Sequence, residues 1–387
     1  MEARTRAYLR GRFGDHYRRA EVTPPPEANE REWGYVPWTE GPGDTYVRHN
    51  SLLDLGDLGE FLTRERPRHV YFSAGRYEDP SATTMGGKGW RRSDLVFDLD
   101  ADHLPSADPD DSYAEMLAKC KDALYRLLDF LETDFGFEEL TVVFSGSRGY
   151  HVHVRDEQVQ QLGSDARREV VDYVRGIGLD PEGLVRTEVR GRGGATARVL
   201  QTGGGWGRRV HRRLLAFVEE LAAMEEEEAL ARLQELEGIG EGRASTVYGA
   251  VQANPEAIRE GNLEAGGPGI RTLVESLVGE TVEAENAPID EPVSTDTNRL
   301  IRLPGSLHGG SGLAVRRLDR DALDAFDPLT DAVPETFRSH DIAVEVTEGG
   351  AVELDGDSFT LPERIHTVPE SLGVFLMCRG RAEKARE

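Results

Sequence analysis

Two aspartates, Asp98 and Asp100, stand one residue apart in Leu95-Val96-Phe97-Asp98-Leu99-Asp100. Leucine, valine and phenylalanine favour a strand, and a strand turns alternate side chains to one face. Both carboxylates therefore project together near the strand's end, where they repel each other when ionised. A pair of hard divalent cations offsets that repulsion, because such ions take oxygen ligands. Asp102 has the same parity but falls closer to the following turn, so it ranks below the other two. A strand ending in an acidic, solvated loop has the same residues, and the motifs elsewhere must decide.

Those motifs lie downstream. Leu140-Thr141-Val142-Val143-Phe144 and Tyr150-His151-Val152-His153-Val154 read as strands joined by the turn Ser145-Gly146-Ser147-Arg148-Gly149. His151 and His153 share a strand face; one is expected to meet a ligand and the other to be exposed. Asp290 follows in Ala287–Val293, and then the block Arg302-Leu303-Pro304-Gly305-Ser306-Leu307-His308. No Walker-type phosphate loop is present, since Gly86-Gly87-Lys88 lacks both its spacing and its Ser or Thr.

The elements that must position these residues follow from hydrophobic pattern. Thr5–Ala20 reads as an amphipathic helix ended by Pro24-Pro25-Pro26, and short strands are expected at 31–35, 45–49 and 69–73. Leu52–Leu62 suggests one helix, and Tyr113–Phe135 a long one with leucines on one side. From Ser164 to about Glu285 charged helical segments predominate, including Val210–Leu236 with its run Glu225–Glu228. Gly203–Gly207 looks like a hinge into it. Leu236–Ala244 resembles a helix-hairpin-helix turn, whose amides can hold a DNA phosphate, and an ordinary helix–helix connection explains it equally well. Short strands are expected within 342–360 and a last helix over 369–382.

The chain has 387 residues and a formal net charge of −25. Such charge ordinarily argues against a nucleic-acid partner. Lysine, however, occurs only at Lys88, Lys119, Lys121 and Lys384, the other basic residues being arginine. Acid-rich, lysine-poor composition suits concentrated salt, where screening removes the self-repulsion of the surface. The charge therefore reads as a halophilic habitat signal. Two cysteines, Cys120 and Cys378, are too few for a disulfide framework. No apolar run reaches membrane-span length, and the N-terminus has no signal-like core, so a soluble, cytoplasmic protein without a membrane partner is expected.

Together these motifs resemble the small, catalytic subunit of the archaeal and eukaryotic type of DNA primase, in its haloarchaeal form. The resemblance rests on Asp98-x-Asp100, on Ser145-Gly-Ser-Arg148-Gly-x-His151, and on Asp290 with Arg302-x-Pro304-Gly-Ser-x-His308, in the family's order. It implies an α+β fold: a primase catalytic core of mixed sheets flanked by helices, with an inserted helical subdomain. The core would comprise 1–163 and 286–387, the insertion 164–285, and the central sheet would carry all three aspartates. It further implies synthesis of short RNA primers for DNA replication, by nucleotidyl transfer from nucleoside triphosphates on a single-stranded DNA template, and extension with deoxynucleotides. A large partner subunit would stand beside the chain, and a replicative DNA polymerase would act downstream.

The residue types fit that chemistry. Asp98, Asp100 and Asp290 would hold two Mg²⁺ or Mn²⁺ ions, while Ser145, Arg148, His151, Arg302, His308 and Arg48 would take the triphosphate. Relatives often carry a zinc knuckle after the aspartate strand; here Pro105–Asp111 offers only His103 and Cys120 nearby, so no structural zinc is expected. Competing readings are a stand-alone primase-polymerase acting in DNA repair, and a nucleic-acid-binding scaffold without catalysis. A metal-dependent sugar-nucleotide transferase accounts for Asp-x-Asp but not for the turn.

Overall fold

The computed structural model describes residues 1–39, 45–108, 110–190, 195–264 and 267–386. Pro109 of the acidic loop lies outside them. Helices and antiparallel sheets alternate in an α+β arrangement, and the chain divides into two compact units. One comprises Met1–Leu124, Glu138–Glu169 and Pro288–Glu387; the other, Tyr125–Phe137 and Val170–Ala287. Residues 125–137 thus leave the portion that the sequence assigns to the core.

The first unit is built on two four-stranded antiparallel sheets. One runs Leu300–Arg302, His69–Ser73, Trp33–Val36, Val47–Asn50, and the other Arg316–Leu318, Leu140–Phe144, Gly149–Val154, Leu95–Asp100. The aspartate strand is buried on both faces. Val96, on the face of Asp98, packs with Ala74, Ile301 and Val293. On the opposite face the long helix brings Cys120 Sγ to 3.6 Å from the Leu99 carbonyl oxygen. Phe72 stacks on His153 with ring centres 6.0 Å apart, joining the two sheets through their facing sides.

Buried charge locks these sheets. Asp94, fully buried just before the aspartate strand, faces Arg31 at 3.1 Å, Arg76 at 2.9 Å and Arg155 at 3.1 Å, with His153 Nδ1 at 3.8 Å. Burial alone would raise its carboxyl; the adjoining His153 ring and the three guanidiniums outweigh it and hold the group below the usual carboxylate range. His153 is therefore not exposed, as its alternation with Val152 predicts, but buried against this network. A polar face can turn inward where a countercharge waits for it.

Several sequence expectations are refined. Leu52–Leu62 is two helices, Leu52–Leu55 and Leu58–Glu65, divided at Gly56 with φ 79°. The long helix Tyr113–Asp129 passes into a π-helical turn, Phe130–Asp134. After Glu370–Cys378 the chain adds a strand, Ala382–Lys384, rather than continuing as helix.

The second unit is mainly helical but contains an antiparallel strand pair, Val185–Arg190 with Ala195–Leu200, which its charged sequence conceals. Val210–Leu236 is not one helix: Gly205–Ala222 is followed by Glu226–Gln234. The glutamate run occupies that second helix's first turn, where negative charge meets the positive end of the backbone dipole.

Candidate active site

The aspartate strand runs antiparallel to Gly149–Val154, with Asp98 opposite His151 and Asp100 opposite Gly149. Position 149 requires glycine, because a Cβ there would lie 2.0 Å from the Leu99 carbonyl oxygen. The turn before it holds Gly146 at φ 78°, a left-handed conformation without steric cost only for glycine. Short spacing and small residues thus carry the turn over the end of the aspartate strand.

Asp290 comes to the same place from far along the chain. Its backbone N–H donates to the Asp98 carbonyl oxygen at 2.9 Å. It does so as the N-cap of the short helix Glu291–Thr295, so the expectation that one sheet carries all three aspartates is corrected. Pro292 gives the reason: in a helix's first turn its missing N–H costs nothing, whereas in a strand it would remove a ladder bond.

Like charges make Asp98 hard to ionise. Burial and then the Asp100 charge push its carboxyl up to about 7; Asp290 adds to this, while Arg302 and Arg299 pull the other way. His151 Nε2 lies 3.4 Å from Asp98 Oδ1. Burial, and next the Arg302 charge, hold that imidazole down at about 3, so it is a neutral ring beside the carboxyl.

Asp98, His151, Arg48 and Arg302 line one cleft of about 510 Å³, together with Arg299 and Tyr71. Arg302 stands on an edge strand opposite Tyr71, with its guanidinium 5.7 Å from that ring's centre. Its Nε is buried without a hydrogen-bond partner, and an anion would supply one. A larger cleft of about 690 Å³ lies near Phe72 and Arg316, and none of the three aspartates lines it.

Ser145, Arg148 and His308 do not line the cleft of Asp98, nor do Asp100 and Asp290. Arg148 forms an ion pair with Asp102. His308 packs against the turn, since a Cβ on Gly146 would approach its Cβ to 2.8 Å. Its Nδ1 accepts the Gly310 N–H at 3.2 Å, and its ring is 4.8 Å from His69. Burial, then Arg302 and His69, hold His308 well below its ordinary range, leaving a neutral ring whose proton sits on Nε2 when Nδ1 accepts. Arg299 is the arginine of the lining that sequence reasoning missed, and Asp296, Asn298, Tyr46 and Tyr71 line the cleft as well. The available signal for Arg299 was its position three residues before Arg302, in the same block.

Among the described residues, no three His, Cys, Asp or Glu side chains are arranged to hold a metal ion alone. The donor set nevertheless suits a hard divalent cation, which commonly takes one or two carboxylates and completes its shell with substrate phosphates and water. The raised Asp98 carboxyl marks a place where a cation would relieve repulsion.

The cleft thus sets a carboxylate of one sheet among guanidiniums carried by the other. Residues 97–320, more than half of the chain, match the family model described as DNA primase small subunit. Over its full length the chain is 68% identical to the DNA primase small subunit PriS of Haloarcula marismortui and 62% identical to that of Halorubrum lacusprofundi, covering all of each. The PriS of Methanococcoides burtonii is 38% identical, with 99% of each chain covered. The chain belongs to the DNA primase small subunit family, and with it to the nucleotidyltransferase-type polymerases of DNA replication. Its salt-suited composition agrees with the haloarchaeal origin of these high-identity relatives.

Proposed function

We propose that this chain is the catalytic subunit of a DNA primase that makes short RNA primers on single-stranded DNA, through a two-metal site at Asp98, Asp100 and Asp290. The observation that carries the reading is the meeting of Asp98 and Asp290 through one backbone bond, beside a cleft that Arg48, His151 and Arg302 also line. Mg²⁺ or Mn²⁺, when bound, neutralises charge on the attacking and leaving oxygens. Arg302 and Arg48 bind and orient the triphosphate as guanidinium forks. The neutral His151 ring can donate one hydrogen bond without adding charge. Ser145, Arg148 and His308 close the phosphate end from the turn; Arg148 exchanges Asp102 for a phosphate oxygen.

The unit made of Met1–Leu124, Glu138–Glu169 and Pro288–Glu387 carries the chemistry, and a large subunit holds the template nearby. So acidic a chain binds DNA weakly by itself, and the partner supplies effective concentration. Primers pass to a replicative DNA polymerase, and the same site extends them with deoxynucleotides. The test is template-dependent dinucleotide synthesis at molar salt with Mn²⁺ or Mg²⁺, with and without the large subunit. Initiation that rises with the large subunit is expected. Tight template binding and full initiation by this chain alone would overturn the reading in favour of a stand-alone polymerase.

A further inference from the structure

Arg48 is held by buried Glu32, which also pairs with buried Lys88, and the chemistry above leaves both of these unused. Glu32 is fully buried, and its Oε1 accepts Arg48 Nε at 3.1 Å and the His49 backbone N–H at 3.0 Å. Its Oε2 accepts Arg48 Nη2 at 3.2 Å. The same oxygen accepts from Lys88 Nζ, itself buried and 4.8 Å from the centre of the Tyr77 ring. His49 is held at φ 63°, a left-handed conformation unusual outside glycine, so the bond to Glu32 also fixes the backbone next to Arg48.

The charges in this cluster do not cancel. Two cations share one carboxylate, leaving one net positive charge, and the Arg48 side chain, 41% exposed, is the member that lines the cleft. Without Lys88, Glu32 would neutralise Arg48 and leave little attraction for an anion. A lysine suits the position because its point charge can meet one carboxylate oxygen without competing for the fork that Arg48 occupies. It is one of only four lysines in an arginine-rich chain.

We propose that Glu32 and Lys88 are positioning residues: Glu32 fixes the Arg48 guanidinium, and Lys88 offsets Glu32 so that Arg48 keeps its positive charge for the phosphates of an incoming nucleoside triphosphate. This rests on the cleft's being the nucleotide site. The test is primer extension by the full chain with Mn²⁺, reading kcat and KM for the nucleotide in R48M, K88M, R48M/K88M and E32Q/K88M. R48M should raise KM about tenfold with kcat little changed, as loss of uniform binding does. K88M should raise KM severalfold, and adding it to R48M should raise KM no further. E32Q/K88M should return KM towards wild type, because Arg48 regains its net charge; a merely structural lysine would give no such rescue.

An unchanged KM in K88M, or a K88M penalty that persists undiminished beside R48M, overturns the proposal. An unchanged KM in R48M removes Arg48 from the nucleotide site, and the inference falls with that assignment. Where melting curves show K88M unfolded, E32Q/K88M decides the matter: a KM as high as that of R48M refutes the mechanism.

Discussion

Replacing Asp98 with asparagine keeps the side chain's shape and removes one charge from a crowded group. In an unfolded chain a carboxyl titrates near 3.9. In the folded protein burial and Asp100 push Asp98 up to about 7. The folded state therefore holds the proton more tightly across the interval between those values. Wild-type stability is fully present below it, falls as pH rises through it, and stays lowered above it. Three pH units correspond to at most about 4 kcal/mol. The Asp98 side chain keeps 23% of its surface accessible, so water recovers part of this. About 2 kcal/mol is a reasonable expectation, or roughly 4 °C in Tm for a protein of this size. Melting curves of wild type and D98N at molar salt with a chelator, from pH 4.5 to 8.5, give the assay. The Tm difference in favour of D98N should grow up to about pH 7 and then level off. Adding Mn²⁺ should raise the Tm of wild type more than that of D98N, because an ion that binds only the folded state stabilises it. A Tm difference that stays flat across the interval would refute the reasoning.

D290N should lose nucleotidyl transfer by about a hundredfold or more while melting close to wild type, since misplaced reacting groups cost roughly that much; primer-extension rates and melting curves check both halves. D94N removes the buried carboxylate that Arg31, Arg76 and Arg155 share, though Arg76 keeps its ion pair with Glu27, and should lower stability by about 3–5 kcal/mol in denaturant titration. Because the Asp94 carboxyl is held below its ordinary range, the stability it contributes is present at neutral pH and is lost only on strong acidification. G149A should force the turn away from the Leu99 carbonyl, giving a lower Tm and loss of the Mn²⁺-dependent rise in the same melting assay.

Alternation along Leu95–Asp100 was enough to put Asp98 and Asp100 on one face, and the hairpin that brings His151 opposite Asp98 could be read from two apolar runs around a glycine turn. Such features repeat within a few residues, and local periodicity records them. The sheet position for Asp290 came from the resemblance, whereas Pro292 two residues on is a residue that suits a helix's first turn and not a central strand. The single helices expected at Leu52–Leu62 and Val210–Leu236 are each interrupted by a short non-helical stretch, and apolar spacing continues across it. Asp94 with its arginines, and Glu32 with Lys88, were not legible at all. Their partners lie on separate strands and turns, and nothing in the sequence of an acidic, arginine-rich chain distinguishes a buried charge from a solvated one until the fold supplies its neighbour.

The core unit's last stretch, Pro288–Glu387, follows all of Val170–Ala287 in the chain. A ribosome adding about 5–20 residues per second needs roughly ten seconds or more between making Asp98 and making Asp290. Throughout that interval His69–Ser73 lacks its later neighbour Leu300–Arg302 and has an open edge, a template for association with other chains. On the proposed function, a chain stopped before residue 290 has the Asp98 strand and its hairpin but not the aspartate that meets them, and should make no primers.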